Sequence, residues 1–156
     1  DGIALSADGK HIFYTPLAGF GLYHLPTFVA QGNLQNLDDY VRKVGDKVSQ
    51  TDGMAFGKKN LYFGALEDNA IYAWEADKDM NNQGTDLGET DLSTQTLLAR
   101  DDSELIWPDT FAMDEEGFLY ATTNKFLLVK NGYVDWNEVN FRIVKIRTDD
   151  QSYLSK

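Results

Sequence analysis

Apolar and polar residues alternate along this chain in short runs, and clusters rich in Gly, Asp and Asn separate the runs. His11-Ile12-Phe13-Tyr14, Leu61-Tyr62-Phe63-Gly64 and Phe118-Leu119-Tyr120-Ala121-Thr122-Thr123 are rich in aromatic and β-branched residues. Each follows a turn sequence: Ser6-Ala7-Asp8-Gly9-Lys10, Gly57-Lys58-Lys59-Asn60 and Asp114-Glu115-Glu116-Gly117. A strand, such a turn and a second strand predict a β-hairpin. One phrase stands ahead of every hairpin turn: Asp, any residue, an apolar residue, Ala, another apolar residue. It reads Asp1-Gly2-Ile3-Ala4-Leu5, then Asp52-Gly53-Met54-Ala55-Phe56, then Asp109-Thr110-Phe111-Ala112-Met113. The phrase returns about every 50 residues, which is the period of a repeat architecture.

Third strands are expected at 21–25, 70–74 and 141–146, and fourth strands at 40–44 and 96–99. Four strands per repeat of about 50 residues predict an all-β protein made of β-propeller blades. The blades fall at approximately 1–51, 52–108 and 109–156, with no second domain. Propellers close with about 4–8 blades, and an open stack leaves unpaired strand edges. The chain is therefore expected to be part of a larger ring, because Asp1 falls inside the repeat. Its partner would be the missing N-terminal portion, as a separate or cleaved chain. A compact stack of three sheets is the alternative.

Composition narrows the possible partners. With 25 acidic and 14 basic residues the net charge is −11, which argues against nucleic acid or an anionic membrane surface and would attract a cation. No run approaches 18 apolar residues, so no membrane span is expected. The chain has no cysteine, hence no disulfide framework or thiol chemistry of its own.

Several collinear motifs resemble the yellow/major royal jelly protein family. They are Asp1-Gly2-Ile3-Ala4-Leu5-Ser6 with Tyr14-Thr15-Pro16-Leu17-Ala18, and Gln50-Thr51-Asp52-Gly53-Met54-Ala55. Leu61-Tyr62-Phe63-Gly64 with Asp68-Asn69-Ala70-Ile71, Trp107-Pro108-Asp109-Thr110-Phe111, Thr122-Thr123-Asn124 and Val139-Asn140-Phe141-Arg142-Ile143 follow in the same order. The resemblance implies the C-terminal half of a secreted six-bladed propeller. Its members include pigmentation proteins, nutritive jelly proteins and salivary proteins that bind biogenic amines. More distantly, Asp-Gly-apolar-Ala is similar to metal-dependent lactonases of the gluconolactonase type. In that pattern Asp52 would be a metal ligand, whereas the place of Asp1 would hold an asparagine.

In a propeller the innermost strand of each blade lines the central channel, so Asp1, Asp52 and Asp109 are expected at one channel mouth. There they would hold a protonated amine or a divalent cation, with Asp52 and Asp1 as the metal ligands and Ca²⁺ or Mg²⁺ better suited than Zn²⁺. Alternatively each Asp caps its own turn. An aromatic amine also needs apolar walls and neutral polar groups. Phe111, Phe56 and Met54 are candidate walls, or core residues. Asn124, Thr122, Thr123 and Asn69 are candidate hydrogen-bonding groups, Asn69 being equally a turn residue. Residues 125–140 interrupt the third blade, and an insertion beside a propeller face is often a binding loop. In amine-binding relatives this region borders the pocket, so Tyr133, Trp136 and Asn140 join the candidates, unless the loop is simply packed by its own aromatics.

Residues 77–84 superficially match a calcium loop but have Asn82 at its sixth position and Gly88 at its twelfth, so they read as a polar surface loop. His11 and His24 have no metal-ligand spacing, and His24 is expected to face solvent. No nucleophile elbow, phosphate loop or His-Glu-x-x-His helix occurs. The favoured reading is a secreted protein that binds a small ligand, an aromatic biogenic amine, in the channel. The alternatives are an enzyme, either a dopachrome-converting isomerase or a metal-dependent lactonase, and a storage or structural protein.

Overall fold

Hairpin alternation organises the whole chain. A computed structural model describes residues 1–32, 36–83, 92 and 94–155. Strands β1 (Gly2–Leu5), β2 (His11–Thr15), β3 (Gly21–Pro26) and β4 (Arg42–Asp46) form a first antiparallel sheet in sequence order. A second contains β5 (Met54–Phe56), β6 (Leu61–Ala65), β7 (Ala70–Trp74) and β8 (Gln95–Arg100). The third holds β9 (Pro108–Met113), β10 (Phe118–Asn124) and β11 (Phe141–Arg147). Each sheet is a blade whose innermost strand is the one carrying the repeated phrase.

The structure corrects several expectations. The third blade has three strands among the described residues, not four. The fourth strand of blade 1 begins at Arg42 rather than residue 40, because Leu37–Tyr40 forms a 3-10 turn. Helix α1 (Thr27–Gln31) leads out of β3. Helix α2 (Ala76–Gln83) occupies the segment expected to be a polar loop, while Gly84 and the acidic residues Asp86, Glu89 and Asp91 lie outside the described residues. Asp77 and Asp79 in its first turn favour a helix start. Asp79 is buried and accepts from Trp74 Nε1 at 2.6 Å and Thr94 Oγ1 at 2.9 Å. Helix α3 (Phe126–Lys130) opens the insertion in blade 3.

The core lies between the blades. Phe13, Leu22 and Val44 of blade 1 pack with Phe56, Leu61, Phe63 and Trp74 of blade 2, the Phe13 ring centroid lying 5.7 Å from Phe56 and 5.8 Å from Trp74. Between blades 2 and 3, Tyr62 and Ile71 meet Leu119 and Ala121. Such a large side chain gains about 1.5–3 kcal/mol on full burial. His24 shares the blade 1–2 interface: it is 4% exposed, with its ring 5.3 Å from His11 and 6.2 Å from Phe13. The expectation that it faces solvent is wrong because His24 pairs with Phe13 and so stands on the face that packs against blade 2, while Ile3 and Leu5 mark the outer face.

At the end of the blades away from the phrases, the hairpin turns need a carboxylate for their amides. Blades 1 and 3 carry their own. Asp8 accepts from the Lys10 amide at 3.0 Å, and Asp114 from the amides of Glu116 and Phe118 at 3.0 and 2.8 Å. These amides, that of Phe118 foremost, hold the Asp114 carboxyl below the usual range. The turn Gly57–Asn60 of blade 2 has no acidic residue, and Asp150 supplies one from beyond β11. It accepts from the amides of Lys58, Lys59 and Asn60 at 3.0, 3.1 and 2.9 Å. A bridge between Gly57 and Ser152 continues this clasp. Burial, then the nearby Asp150 charge, pushes the Tyr62 hydroxyl up to about 12.

Asp150→Ala leaves three amides of that turn without their acceptor. We expect it to cost about 3 kcal/mol in urea unfolding and to speed hydrogen exchange at Lys58, Lys59 and Asn60; unchanged exchange there would contradict the clasp. A second prediction concerns Lys47, which is 3% exposed and donates to Thr15 Oγ1 at 2.7 Å and the Phe20 carbonyl at 2.9 Å. Burial pushes its ammonium down from 10.5 to about 8, with Asp46 opposing. Between those values the unfolded chain binds more protons than the folded one, so this group's burden on stability is present below about pH 8 and is relieved as pH rises. The stability of wild type minus that of Lys47→Met should therefore climb from about pH 8 toward about pH 10.5; a flat difference would contradict it.

Candidate functional site

Strand β1 lies beside β5, and β5 beside β9, so the innermost strands stand side by side and their N-terminal ends meet. Glycine permits the approach. A Cβ on Gly2 would sit 2.9 Å from the Asp52 carbonyl oxygen, and one on Gly53 would sit 1.5 Å from that of Asp109. Both fall below the 3.0 Å that real Cβ atoms keep. The same place in blade 3 holds Thr110, which is exposed and has no further blade against it among the described residues.

The convergence encloses a cavity of about 310 Å³, lined by the first three residues of every phrase, Asp1 to Ile3, Asp52 to Met54 and Asp109 to Phe111. Asp109 is also a wall of a second groove of about 420 Å³, with Thr122, Thr123, Asn124, Phe141, Arg142 and Ile143. All three predicted carboxylates and Phe111 thus share one space, and Asp109, Thr122 and Asn124 share the next. Met54 and Phe56 belong mainly to the core, with Met54 also touching the cavity.

Side chains hold two of the carboxylates. Trp107 Nε1 donates to Asp52 Oδ2 at 2.7 Å, and Asn124 Nδ2 donates to Asp109 Oδ2 at 2.9 Å. The Thr110 hydroxyl donates to Asp109 Oδ1 at 3.1 Å. Their described hydrogen bonds thus come from side chains, those on Asp109 from its own blade, rather than from the amides of a turn. The Asp1 amino group donates to the Thr15 carbonyl at 2.9 Å. Alternation along β10 turns Thr122 outward, where its hydroxyl accepts from the Thr110 amide at 3.1 Å beside a bulge in β9. Thr123 points the other way and donates to the Glu104 carbonyl.

The insertion candidates lie elsewhere. Tyr133 and Trp136 are 75% and 85% exposed and line neither space. Asn140 closes its own loop, donating to the carbonyls of Asp135 at 3.0 Å and Glu138 at 3.2 Å. Asn69 is a turn residue in left-handed conformation, φ 49°. Among the described residues no three His, Cys, Asp or Glu side chains gather closely enough to hold a metal, so a cation at Asp1 and Asp52 would need further oxygen ligands.

Trp107 is the residue that sequence reasoning missed. Its φ of 55° is left-handed, a strained conformation for a bulky residue. Its ring packs against Phe126 of α3 at 5.1 Å, its indole holds Asp52, and its carbonyl accepts from the Asn124 amide at 3.3 Å. One aromatic side chain thereby ties blade 2, blade 3 and the insertion to the mouth. Its signal in the sequence was its place two residues ahead of Asp109, at the head of the third phrase.

The family profile described as "Major royal jelly protein" matches residues 1–154. Major royal jelly protein 7 of Apis mellifera is 24% identical over 151 residues, covering 92% of this chain and 34% of its own length. Major royal jelly protein 3 of the same species is 26% identical over 157 residues, covering 96% of this chain and 28% of its own. The chain thus spans about a third of the length of the curated relatives it matches. Among solved structures, a luciferin-regenerating enzyme superposes with a TM-score of 0.65 at 14% identity, over 97% of this chain and 46% of that one. A gluconolactonase from Xanthomonas campestris gives 0.63 at 16%, over 97% and 45%. At such identities the likeness shows the fold, a β-propeller of which this chain supplies three blades. Sequence and fold together place the chain in the major royal jelly protein family.

Proposed function

We propose that this chain contributes half of a six-bladed, secreted propeller that binds a small aromatic amine at its channel mouth, without turning it over. The observation that carries the reading is the gathering of Asp1, Asp52 and Asp109 around one cavity of about 310 Å³ in a chain of net charge −11. A protonated amine entering there meets carboxylates oriented in advance, with Phe111 as an apolar wall and the Thr122 and Asn124 groups in the adjoining groove. Preorganisation by Trp107 and Asn124 lowers what the ligand must order on binding. The amine itself is suggested by family resemblance, as is secretion. No helix among the described residues is long and apolar enough to cross a membrane.

The ring completes the same proposal. The chain covers under half of both propellers compared above. Its two end blades present apolar side chains outward, Ile3 and Leu5 on blade 1 and Phe141 and Ile143 on blade 3. Three further blades, on a separate or cleaved N-terminal chain, would cover both.

Calorimetry with tryptamine and serotonin tests the site. We expect saturable binding that survives EDTA, and Asp52→Asn, which keeps an acceptor for Trp107, should weaken it at least tenfold, about 1.4 kcal/mol. Trp107→Phe should weaken it several-fold by freeing Asp52. Undiminished binding by Asp52→Asn would move the site elsewhere. Hydrolysis of a lactone that EDTA abolishes would favour the metal-dependent enzyme instead.

A further inference from the structure

Helix α3 and the loop after it carry apolar side chains into water. Phe126, Leu127, Leu128 and Val129 are each more than a third exposed, and Tyr133 and Trp136 stand almost wholly in solvent. The core clusters between the blades include none of them. Four successive apolar residues beside two bare rings mark a surface that meets a partner or a membrane.

Helix and loop form one body. The Tyr133 amide donates to the Leu128 carbonyl at 2.8 Å, and the Lys125 ammonium pairs with Glu138. This body is anchored inward, on the mouth side. It begins beside Asn124, which holds Asp109, and Phe126 packs on Trp107, whose indole holds Asp52 of blade 2. Phe141 and Ile143, on the outer face of blade 3, belong to a different surface.

The chemistry of the body selects what it meets. Its polar side chains are spent on the loop itself. Asp135 Oδ1 accepts from the Asn137 amide at 2.8 Å and from the Asn137 side chain at 3.0 Å, and Asn140 donates to the Asp135 and Glu138 carbonyls. A sugar or a peptide needs polar partners, whereas a bilayer surface needs none. Trp and Tyr rings, apolar in body and polar at the tip, collect at the headgroup level of bilayers. A lysine such as Lys130, in the last turn of α3, lays its stem on apolar surface and keeps its ammonium in water. Within residues 125–140 two lysines balance two acidic residues, so the net charge of −11 lies on the rest of the chain. A neutral apolar face on an acidic body suits zwitterionic lipid, and anionic lipid repels such a body.

We propose that α3 and the loop of Tyr133 and Trp136 seat the protein on a zwitterionic phospholipid surface, with the channel mouth beside the lipid. The rings and the aliphatic side chains of α3 enter the interface, and the charged body stays in water. Affinity in this mode grows with the apolar area buried, so the contact is reversible and salt does not weaken it.

The test is partitioning of the full chain onto phosphatidylcholine vesicles, read by sedimentation and by tryptophan emission. Trp74 and Trp107 are buried, so a change in emission reports Trp136. We expect saturable partitioning that persists in high salt, a blue shift, and quenching by bromine placed on the acyl chains. Tyr133→Ser combined with Trp136→Ser should weaken partitioning by about tenfold or more while leaving urea unfolding unchanged. No partitioning, partitioning that the double variant retains, or binding to phosphatidylserine vesicles alone that salt abolishes would overturn the proposal. A blue shift that grows with protein concentration in the absence of lipid would overturn it in favour of a second copy on this face. No amine enters the assay, so every result leaves the ligand reading to its own test.

Discussion

The close approach of neighbouring inner strands is the constraint on which the rest of this structure depends. Two glycines allow the backbones of adjacent blades to come within a distance that no side chain could survive. Once they meet, the aspartate just ahead of each glycine is carried to the same rim, and the carboxylates gather without any dedicated loop. The site is thus a by-product of the packing that holds the blades in register.

Carboxylates serve two purposes at the two ends of the blades. At the turns, Asp8, Asp114 and Asp150 are consumed by backbone amides and hold the hairpins. At the mouth, Asp52 and Asp109 are held mainly by side-chain donors that orient them while one cavity face stays open. An amide-saturated carboxylate is an architectural part, and a carboxylate steered by an indole or an amide side chain toward a cavity is suited to bind a cation.

Much of the fold was legible in the sequence because local alternation and turn chemistry dictate hairpins, and a hairpin repeated at a constant period dictates blades. The third strands at 70–74 and in blade 3 follow from that alone. His24 was misjudged because alternation identifies two faces but cannot say which of them packs against the next blade. Residues 77–83 were misjudged because a polar, acidic helix start resembles a loop when no apolar stripe marks its face. Asp150 and Trp107 act on partners about 90 and 55 residues away in sequence, and nothing local announces such contacts. Repeat equivalence anticipated that the three aspartates line one cavity, whereas Tyr133 and Trp136, expected there because they belong to the insertion of blade 3, lie away from it.

The most direct test of the central claim is a backbone NMR titration of the chain with tryptamine. If the mouth is the binding site, the amides of Asp1 to Ile3, Asp52 to Met54 and Asp109 to Phe111 shift together along one saturation curve, joined by the Trp107 indole. Shifts confined to the exposed loop of Tyr133 and Trp136, or spread over the acidic surface without saturation, would contradict it.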